Sequence, residues 1–148
     1  MKQFTFSLDR VLQLRRDAER ERLQALGEAR RLEDEHRRAL ADCQDRLDRA
    51  SQQFAPDPGA VLPAGALRTL SLALESLVRQ AEAAAASHGQ AMEVTEAEQA
   101  RFNHARTERR AVERLRDHRL AQWQQEAARE EQKSADEIAQ RRARGGSA

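Results

Sequence analysis

Residues able to do chemistry are few in this sequence, and their spacing gives them no common site. The histidines are His36, His88, His104 and His118, and the only cysteine is Cys43. His104 and His118 are 14 positions apart, nearly four helical turns, so they cannot share a metal ion. The sequence has no glycine-rich phosphate loop and no nucleophile placed beside a base. We therefore expect no enzyme activity, metal, cofactor or small-molecule substrate, and we interpret Cys43 as a small buried apolar side chain.

Arginine supplies the one strongly charged segment. Residues 101–120 hold seven arginines against Glu108, Glu113 and Asp117, a local net charge of 7 − 3 = +4 in a chain whose total is +1. Such a cluster can contact nucleic-acid phosphates or the carboxylates of an acidic protein surface. Aromatic side chains that could stack on bases are scarce here, which favours the protein surface. The candidate partner-binding residues are Arg106, Arg109, Arg110, Arg114, Arg116, Arg119 and Trp123.

The composition predicts that long helices carry these residues. Charged residues make up 34% of the chain and aromatic residues 3%, which leaves too little bulky apolar material for a two-layer core and is typical of coiled coils. All three prolines lie within residues 55–65, where they interrupt the helical pattern. We predict an all-α antiparallel coiled-coil hairpin over residues 1–148. Its parts are a first helix at about 7–54 with Ser7 as N-cap, a loop at 55–63, a second helix at about 64–142 and a disordered tail at 143–148.

Apolar residues recur every three or four positions in both segments, the spacing of a coiled-coil seam. The first series is Phe4, Leu8, Val11, Arg15, Ala18, Arg22, Ala25, Ala29, Leu32, His36, Ala39 and Cys43, followed by a one-residue shift to Leu47, Ala50 and Phe54. The second series is Leu67, Leu70, Leu74, Leu77, Ala81, Ala84, His88, Ala91, Thr95, Glu98, Phe102, Ala105 and Val112. Because Arg15, Arg22 and His36 fall on the first series, we expect the seam to open locally at these residues.

The loop sets the expected alignment of the two helices. If Ala50 faces Leu67, the numbers of facing residues add to about 117. The second helix then overhangs its partner by about seven turns from Leu115 onward, with Trp123 on the overhang. A helix without a partner inside the molecule predicts a partner outside it. At the loop end, the same alignment gathers a second candidate surface from Leu40, Cys43, Leu47, Leu70, Leu74 and Leu77.

Two stretches of the sequence resemble the flagellar FliJ family. The start, Phe4-Thr5-Phe6-Ser7-Leu8-Asp9-Arg10-Val11-Leu12-Gln13-Leu14-Arg15, is similar to the family pattern Phe-x-Phe-x-Leu-x-x-Val-Leu-x-Leu-Arg. The family's C-terminal pattern is similar to Arg114-Leu115-Arg116, Trp123, Glu130-Glu131-Gln132-Lys133 and Asp136-Glu137-Ile138-Ala139-Gln140-Arg141-Arg142. The length and the long second helix also fit this family.

The resemblance implies a non-enzymatic, cytoplasmic component of the flagellar type III export apparatus, peripherally associated with the inner face of the cell membrane. Family members are stalks whose paired termini bind the export ATPase ring, whose loop end reaches the membrane-embedded export gate, and which escort export chaperones. The arginine cluster with Trp123 would then meet the ATPase, and the leucine-rich tip would meet the export gate. Two alternatives stay open, a related stalk of a virulence-type secretion system and a generic structural coiled-coil spacer, and nucleic acid is not an expected partner.

Overall fold

The computed structural model describes residues 3–54 and 57–145. These residues contain two long α-helices, α1 at Asp9–Gln53 with 45 residues and α2 at Ala64–Gly145 with 82 residues. The predicted fold class, two long helices packed against each other with the second longer, is confirmed. The second helix ends three residues beyond the predicted end at 142. The predicted loop residues 55 and 56 and the tail residues 146–148 lie outside the described residues.

The first helix begins at a different cap from the predicted one. The amide of Leu12 donates to the carbonyl of Leu8 at 2.9 Å, which makes Leu8 the residue that opens the helical hydrogen bonding. Ser7, predicted as the N-cap, instead accepts a hydrogen bond on its hydroxyl oxygen from Arg119 at 3.1 Å. Asp9 places a carboxylate in the first turn, where it meets the positive end of the helix dipole.

The second helix starts directly after the last proline. The carbonyl of Pro63 accepts hydrogen bonds from the amides of Ala66 at 3.0 Å and Leu67 at 3.1 Å, so Pro63 ends the loop. Gly59 in that loop has a φ of 102°, which a side chain would strain. The loop therefore turns at a glycine and restarts as helix at the residue that follows a proline.

The described residues form two compact units, and each helix contributes to both. One unit combines the residues up to Arg20 with those from His104 onward, and the other comprises Glu21–Asn103. Within each unit the two chain segments run antiparallel and cover one face of each other, so few side chains are fully buried. The buried apolar residues are Phe6, Leu12 and Ala105 in the first unit and Leu26, Ala29 and Ala91 in the second.

The buried face of α1 differs from the predicted series at positions 11, 32 and 39, where the residue that follows is the more buried one, whereas the predicted Ala18 and Ala25 are half-buried. Leu12 and Leu26 are 1% and 2% exposed, whereas the predicted Val11 and Leu32 are 38% and 47% exposed. The half-buried or buried positions include 12, 15, 19, 26, 29, 33, 40, 43, 47 and 50, which keep alternating steps of three and four when the exposed positions 22 and 36 are added. The predicted one-residue shift near position 43 is therefore wrong. Of the three residues at which the seam was expected to open, Arg22 and His36 are exposed, whereas Arg15 is half-buried and paired with Glu108.

Two carboxylates explain why the predicted seam of α1 differs from the observed one. Glu19 and Glu33 occupy seam positions and are half-buried. The predicted series contains the apolar neighbours Ala18 and Leu32 instead, because charged residues are rarely buried unless they are paired. Glu19 has such a partner in Arg109 of the opposite helix.

The buried face of α2 follows the predicted series closely. Its members from Leu70 to Val112 are half-buried or buried, and only Leu67, at the start, is 50% exposed. The position between Ala105 and Val112, which the series left vacant, is taken by Arg109. A charged side chain therefore lies in the seam of each helix.

The predicted alignment of the helices is wrong. Phe4 packs on Trp123 and Arg30 bonds Gln99, pairs whose numbers add to 127 and 129. The same holds for Ser7 with Arg119, Arg15 with Glu108, Arg16 with Glu113 and Glu19 with Arg109, whose numbers add to between 123 and 129 instead of about 117. In the observed alignment the first turns of α2 lie beside the loop, where Leu70 lines a shallow groove with Phe54 and Leu62.

The overhang is correspondingly shorter than predicted, and Trp123 does not lie on it. The rings of Phe4 and Trp123 are 6.0 Å apart at 56°, so the N-terminal segment reaches this far along α2. No hydrogen bond, ion pair or ring contact joins residues 124–145 to other parts of the described chain. These 22 residues, roughly 33 Å of helix, are the part of α2 without an internal partner.

Two glycines should respond in opposite ways to substitution by alanine. Gly89 lies inside α2, and no atom lies within 4 Å of the point that an added Cβ would occupy, so Gly89→Ala should raise the free energy of unfolding by about 0.5–1 kcal/mol. Gly59 has the positive φ, so Gly59→Ala should lower that free energy by about 1 kcal/mol. Urea unfolding followed by circular dichroism measures both changes. Equal effects of the two substitutions would contradict the assigned backbone geometry.

Candidate partner-binding site

Arg109 forms an ionic cluster inside the seam of the first unit. Its Nε donates to Oε2 of Glu19, its Nη2 lies 3.4 Å from Oε1 of the same carboxylate, and its Nη1 donates to Glu113. Arg16 donates to the other oxygen of Glu113 at 3.2 Å. The side chains of Arg109 and Glu19 are 20% and 18% exposed. Two arginines and two carboxylates therefore neutralise one another where a coiled coil ordinarily places apolar side chains.

A second cross-helix ion pair lies beside this cluster. Arg15 donates to Glu108 at 2.7 Å, and Nδ1 of His104 lies 3.8 Å from the same carboxylate oxygen. Arg15 falls on the predicted seam and is half-buried there. The pair explains how a charged residue at this position is tolerated, since its charge is met from the opposite helix.

The electrostatics of the cluster keep Arg109 charged. The hydrogen bond from Arg109 to Glu19, together with the negative charges of Glu19 and Glu113, raises the pKa of the guanidinium above its already high ordinary value.

The six arginines predicted as partner contacts divide into two groups. Arg109 is engaged inside the molecule, and Arg119 donates to the neutral hydroxyl of Ser7. The others make no ion pair with any described residue, and their charges are uncompensated: Arg106, Arg110 and Arg114, which are exposed, and Arg116, which is half-buried. The spacing of four between the exposed three places them along one side of α2.

This unpaired set differs from those arginines of α1 that form ion pairs along their own helix. Arg46 pairs with Asp42 at 2.9 Å and Arg49 pairs with Asp45 at 2.7 Å, each one helical turn apart. Asp34 accepts from two arginines, and the hydrogen bond from Arg37 lowers the pKa of its carboxyl. Exposed ion pairs of this kind stabilise a helix slightly, and the arginines of α2 at 106, 110 and 114 form none with the described residues.

Trp123 is half-buried against Phe4, so this tryptophan has an internal contact that the sequence pattern did not predict. Phe4 was assigned to the seam, but the predicted alignment placed it near Glu113. The spacing of Phe4 and Phe6 on either side of an exposed Thr5 is the signal for an extended segment with one apolar face. Trp123 retains an open side that faces the unpaired part of α2.

The predicted tip residues form the seam near the loop and are not a free surface. All six are half-buried: Leu40, Cys43, Leu47, Leu70, Leu74 and Leu77. The apolar side chains exposed near the loop are different ones. Val61 is 96% exposed, Leu67 is 50% exposed and Leu72 is 53% exposed. Among residues 58–67 none is charged, so the exposed tip is apolar and neutral.

The described residues contain no group of three or more His, Cys, Asp or Glu side chains that could hold a metal ion. Within residues 3–54 and 57–145, no helix is long and apolar enough to cross a membrane. The features that could engage a ligand are an uncompensated basic face, a neutral apolar tip and a free helix end.

A helical hairpin with these surfaces defines an interaction protein of the coiled-coil class. Residues 4–147 match the profile of the family described as "Flagellar FliJ protein", and the chain belongs to the FliJ family. The family is a non-enzymatic structural component of the flagellar export apparatus, and the resemblance inferred from the two terminal stretches is confirmed. No curated protein and no solved structure matches the chain.

Removing one member of the ionic cluster should destabilise the first unit. Arg109→Ala leaves Glu19 without a cation and Glu113 with Arg16 alone, which should cost about 1–3 kcal/mol after allowance for partial exposure. The double substitution Glu19→Leu with Arg109→Leu removes both charges and should restore the stability to wild type or above.

Urea unfolding measures these changes, with Arg37→Ala as the matched control. Arg37 forms an exposed pair on α1 and should change the free energy of unfolding by less than about 0.5 kcal/mol. If Arg37→Ala and Arg109→Ala lower the free energy of unfolding equally, the ion pairs in the seam stabilise the protein no more than an exposed pair does.

Proposed function

We propose that this chain is a cytoplasmic stalk of the flagellar export apparatus that binds the export ATPase ring, contacts the export gate at the membrane and escorts export chaperones. Membership of the FliJ family supports the setting. The observation that carries the ATPase contact is the uncompensated charge of Arg106, Arg110 and Arg114 on one side of α2. The family match favours the flagellar setting over a virulence-type system and over a spacer without partners.

The arginine face determines the chemistry of the ATPase contact. A row of exposed guanidinium groups without internal carboxylates is free to pair with carboxylates on another protein. Arg116 and Arg119 extend the same charged segment, and Trp123 adds an aromatic surface at its end. Arg109 is excluded from direct contact because its donors are already bound to Glu19 and Glu113. Its role in the proposed interface is to hold α1 and α2 together beneath the contact.

The tip supplies a contact of a different kind. Val61 and Leu67 expose apolar side chains in a stretch without charge, which suits an apolar groove on a partner. The half-buried leucines at 40, 47, 70, 74 and 77, with Cys43, support this surface from the seam. We assign the tip to the export-gate protein.

Charge removal tests the ATPase contact. The triple variant combines Arg106→Gln, Arg110→Gln and Arg114→Gln. It should need an about tenfold higher concentration for half-maximal stimulation of the ATPase, because three exposed pairs of about 0.5 kcal/mol each are lost. The measurement is the ATP hydrolysis rate of purified export ATPase as this protein is titrated in.

The matched control replaces three exposed arginines of the second unit that also lack ion pairs with described residues: Arg22→Gln, Arg31→Gln and Arg68→Gln. This triple variant should stimulate the ATPase like wild type. No stimulation by wild type, or an equal loss in both triple variants, contradicts the proposed site. Tight, salt-sensitive binding to DNA in place of ATPase stimulation would identify a nucleic-acid binder.

Polar substitution tests the tip. Val61→Asp with Leu67→Asp should reduce binding to detergent-solubilised export-gate protein at least about tenfold, because two exposed apolar side chains no longer enter the partner. Helicity should stay near wild type, since both residues are exposed. Met92→Asp with Val94→Asp is the control, because these residues are 50% and 54% exposed on α2 away from the loop. Undiminished binding of the tip variant would assign the gate contact to another surface.

A further inference from the structure

The free end of α2 carries an apolar stripe without a partner. Trp123, Ala127 and Ile138 line one open groove along this helix, at spacings of four and eleven that return to the same side. Ile138 is 52% exposed, and within the described residues the only ring contact on this side is that of Phe4 with Trp123. A stripe of this kind extends the seam of the first unit beyond the contact of Phe4 with Trp123.

The rim of the stripe is acidic. Glu126, Glu130 and Glu131 line the same groove, and no basic side chain does. Arg129 belongs to this stretch of sequence, but its spacing places it on another side of the helix, whereas Lys133 follows Glu126 by seven residues and flanks the same edge without lining the groove. Residues 126–137 hold five carboxylates against these two cations, a local net charge of 2 − 5 = −3, and Arg141, Arg142 and Arg144 follow this stretch. The groove therefore combines apolar anchors with negative charge along its edges.

We propose that the free end of α2 binds a basic amphipathic helix of a partner protein. An apolar stripe on that helix would continue the seam along Trp123, Ala127 and Ile138, and flanking Lys or Arg side chains would pair with Glu130 and Glu131. The sign of the charge is opposite to that of the arginine face on residues 106–114, which takes an acidic surface. The two sites therefore select different partner surfaces, and this one stands whether or not the ATPase contact does.

The glutamates argue against an anionic membrane surface as the occupant. Lipid headgroups of the cytoplasmic leaflet attract basic segments, and the rim of this groove repels them. A helix is the fitting occupant because the groove follows a single straight helix for about four turns.

The fluorescence of Trp123 can show whether a helix is bound in the groove. It is the only tryptophan, and the chain has no tyrosine, so intrinsic fluorescence excited in the near ultraviolet comes from this site. The probe is a synthetic helical peptide about five turns long, with leucine along one side and lysine beside it. Its matched peptide has glutamate in place of every lysine. We expect the lysine peptide to shift the Trp123 emission and to bind at least about tenfold more tightly than the glutamate peptide.

Charge reversal in the protein locates the site. Glu130→Lys with Glu131→Lys should weaken binding of the lysine peptide at least about tenfold. The control is Glu93→Lys with Glu96→Lys, two exposed carboxylates of α2 in the second unit, which changes the net charge by the same amount and should alter binding less than about twofold. Ile138→Ser should weaken binding without changing the preference for lysine.

Three outcomes would overturn the proposal. The first is equal binding of the two peptides, and the second is an equal loss in the two charge-reversed variants. The third is a shift of Trp123 emission with protein concentration alone that Glu130→Lys with Glu131→Lys abolishes, since this would identify a second copy of the chain as the occupant.

Discussion

Arg109 and Glu19 meet at seam positions of two packed helices, where apolar side chains ordinarily lie, and the arrangement of the first unit depends on this contact. Each charge would be costly to bury alone, and together with Glu113 and Arg16 they neutralise one another. A charged pair of this kind is satisfied in only one alignment of the helices, whereas alanine and leucine layers tolerate a slip by one heptad. The cluster therefore fixes which residues of α1 and α2 face each other.

The same contact sorts the arginines of α2 by role. Because Arg109 turns into the seam, the arginines three positions before and one position after it, Arg106 and Arg110, lie away from the carboxylates of α1 and remain unpaired. The position of the basic surface therefore follows from which arginine of α2 pairs with the carboxylates of α1. The arginines of this helix stay available for a partner only where the facing helix offers no acid.

Different chemistry marks the different parts of the chain. The arginine face is basic, the free end of α2 has an apolar stripe with an acidic rim, and the loop end is neutral and apolar. In a protein with almost no interior, most residues are available to partners, and specificity has to come from such local differences in charge. This fits a non-enzymatic structural component of the flagellar export apparatus.

Sequence alone determined the fold class, the position of the loop and the seam of α2. Three clustered prolines interrupt the helical pattern, and the regular spacing of three and four defines the face of α2 that packs. It also determined the family, since the Phe-x-Phe start and the Glu-Gln-Lys end are local patterns. The seam of α1, the alignment of the helices and the state of Arg109 and Trp123 were decided only by the tertiary structure. Burial of Glu19 becomes favourable only once Arg109 is opposite it, and Trp123 is covered only because Phe4 reaches it from the other end of the sequence. Spacing within one helix carries no information about which residue of a distant helix supplies the compensating charge or ring.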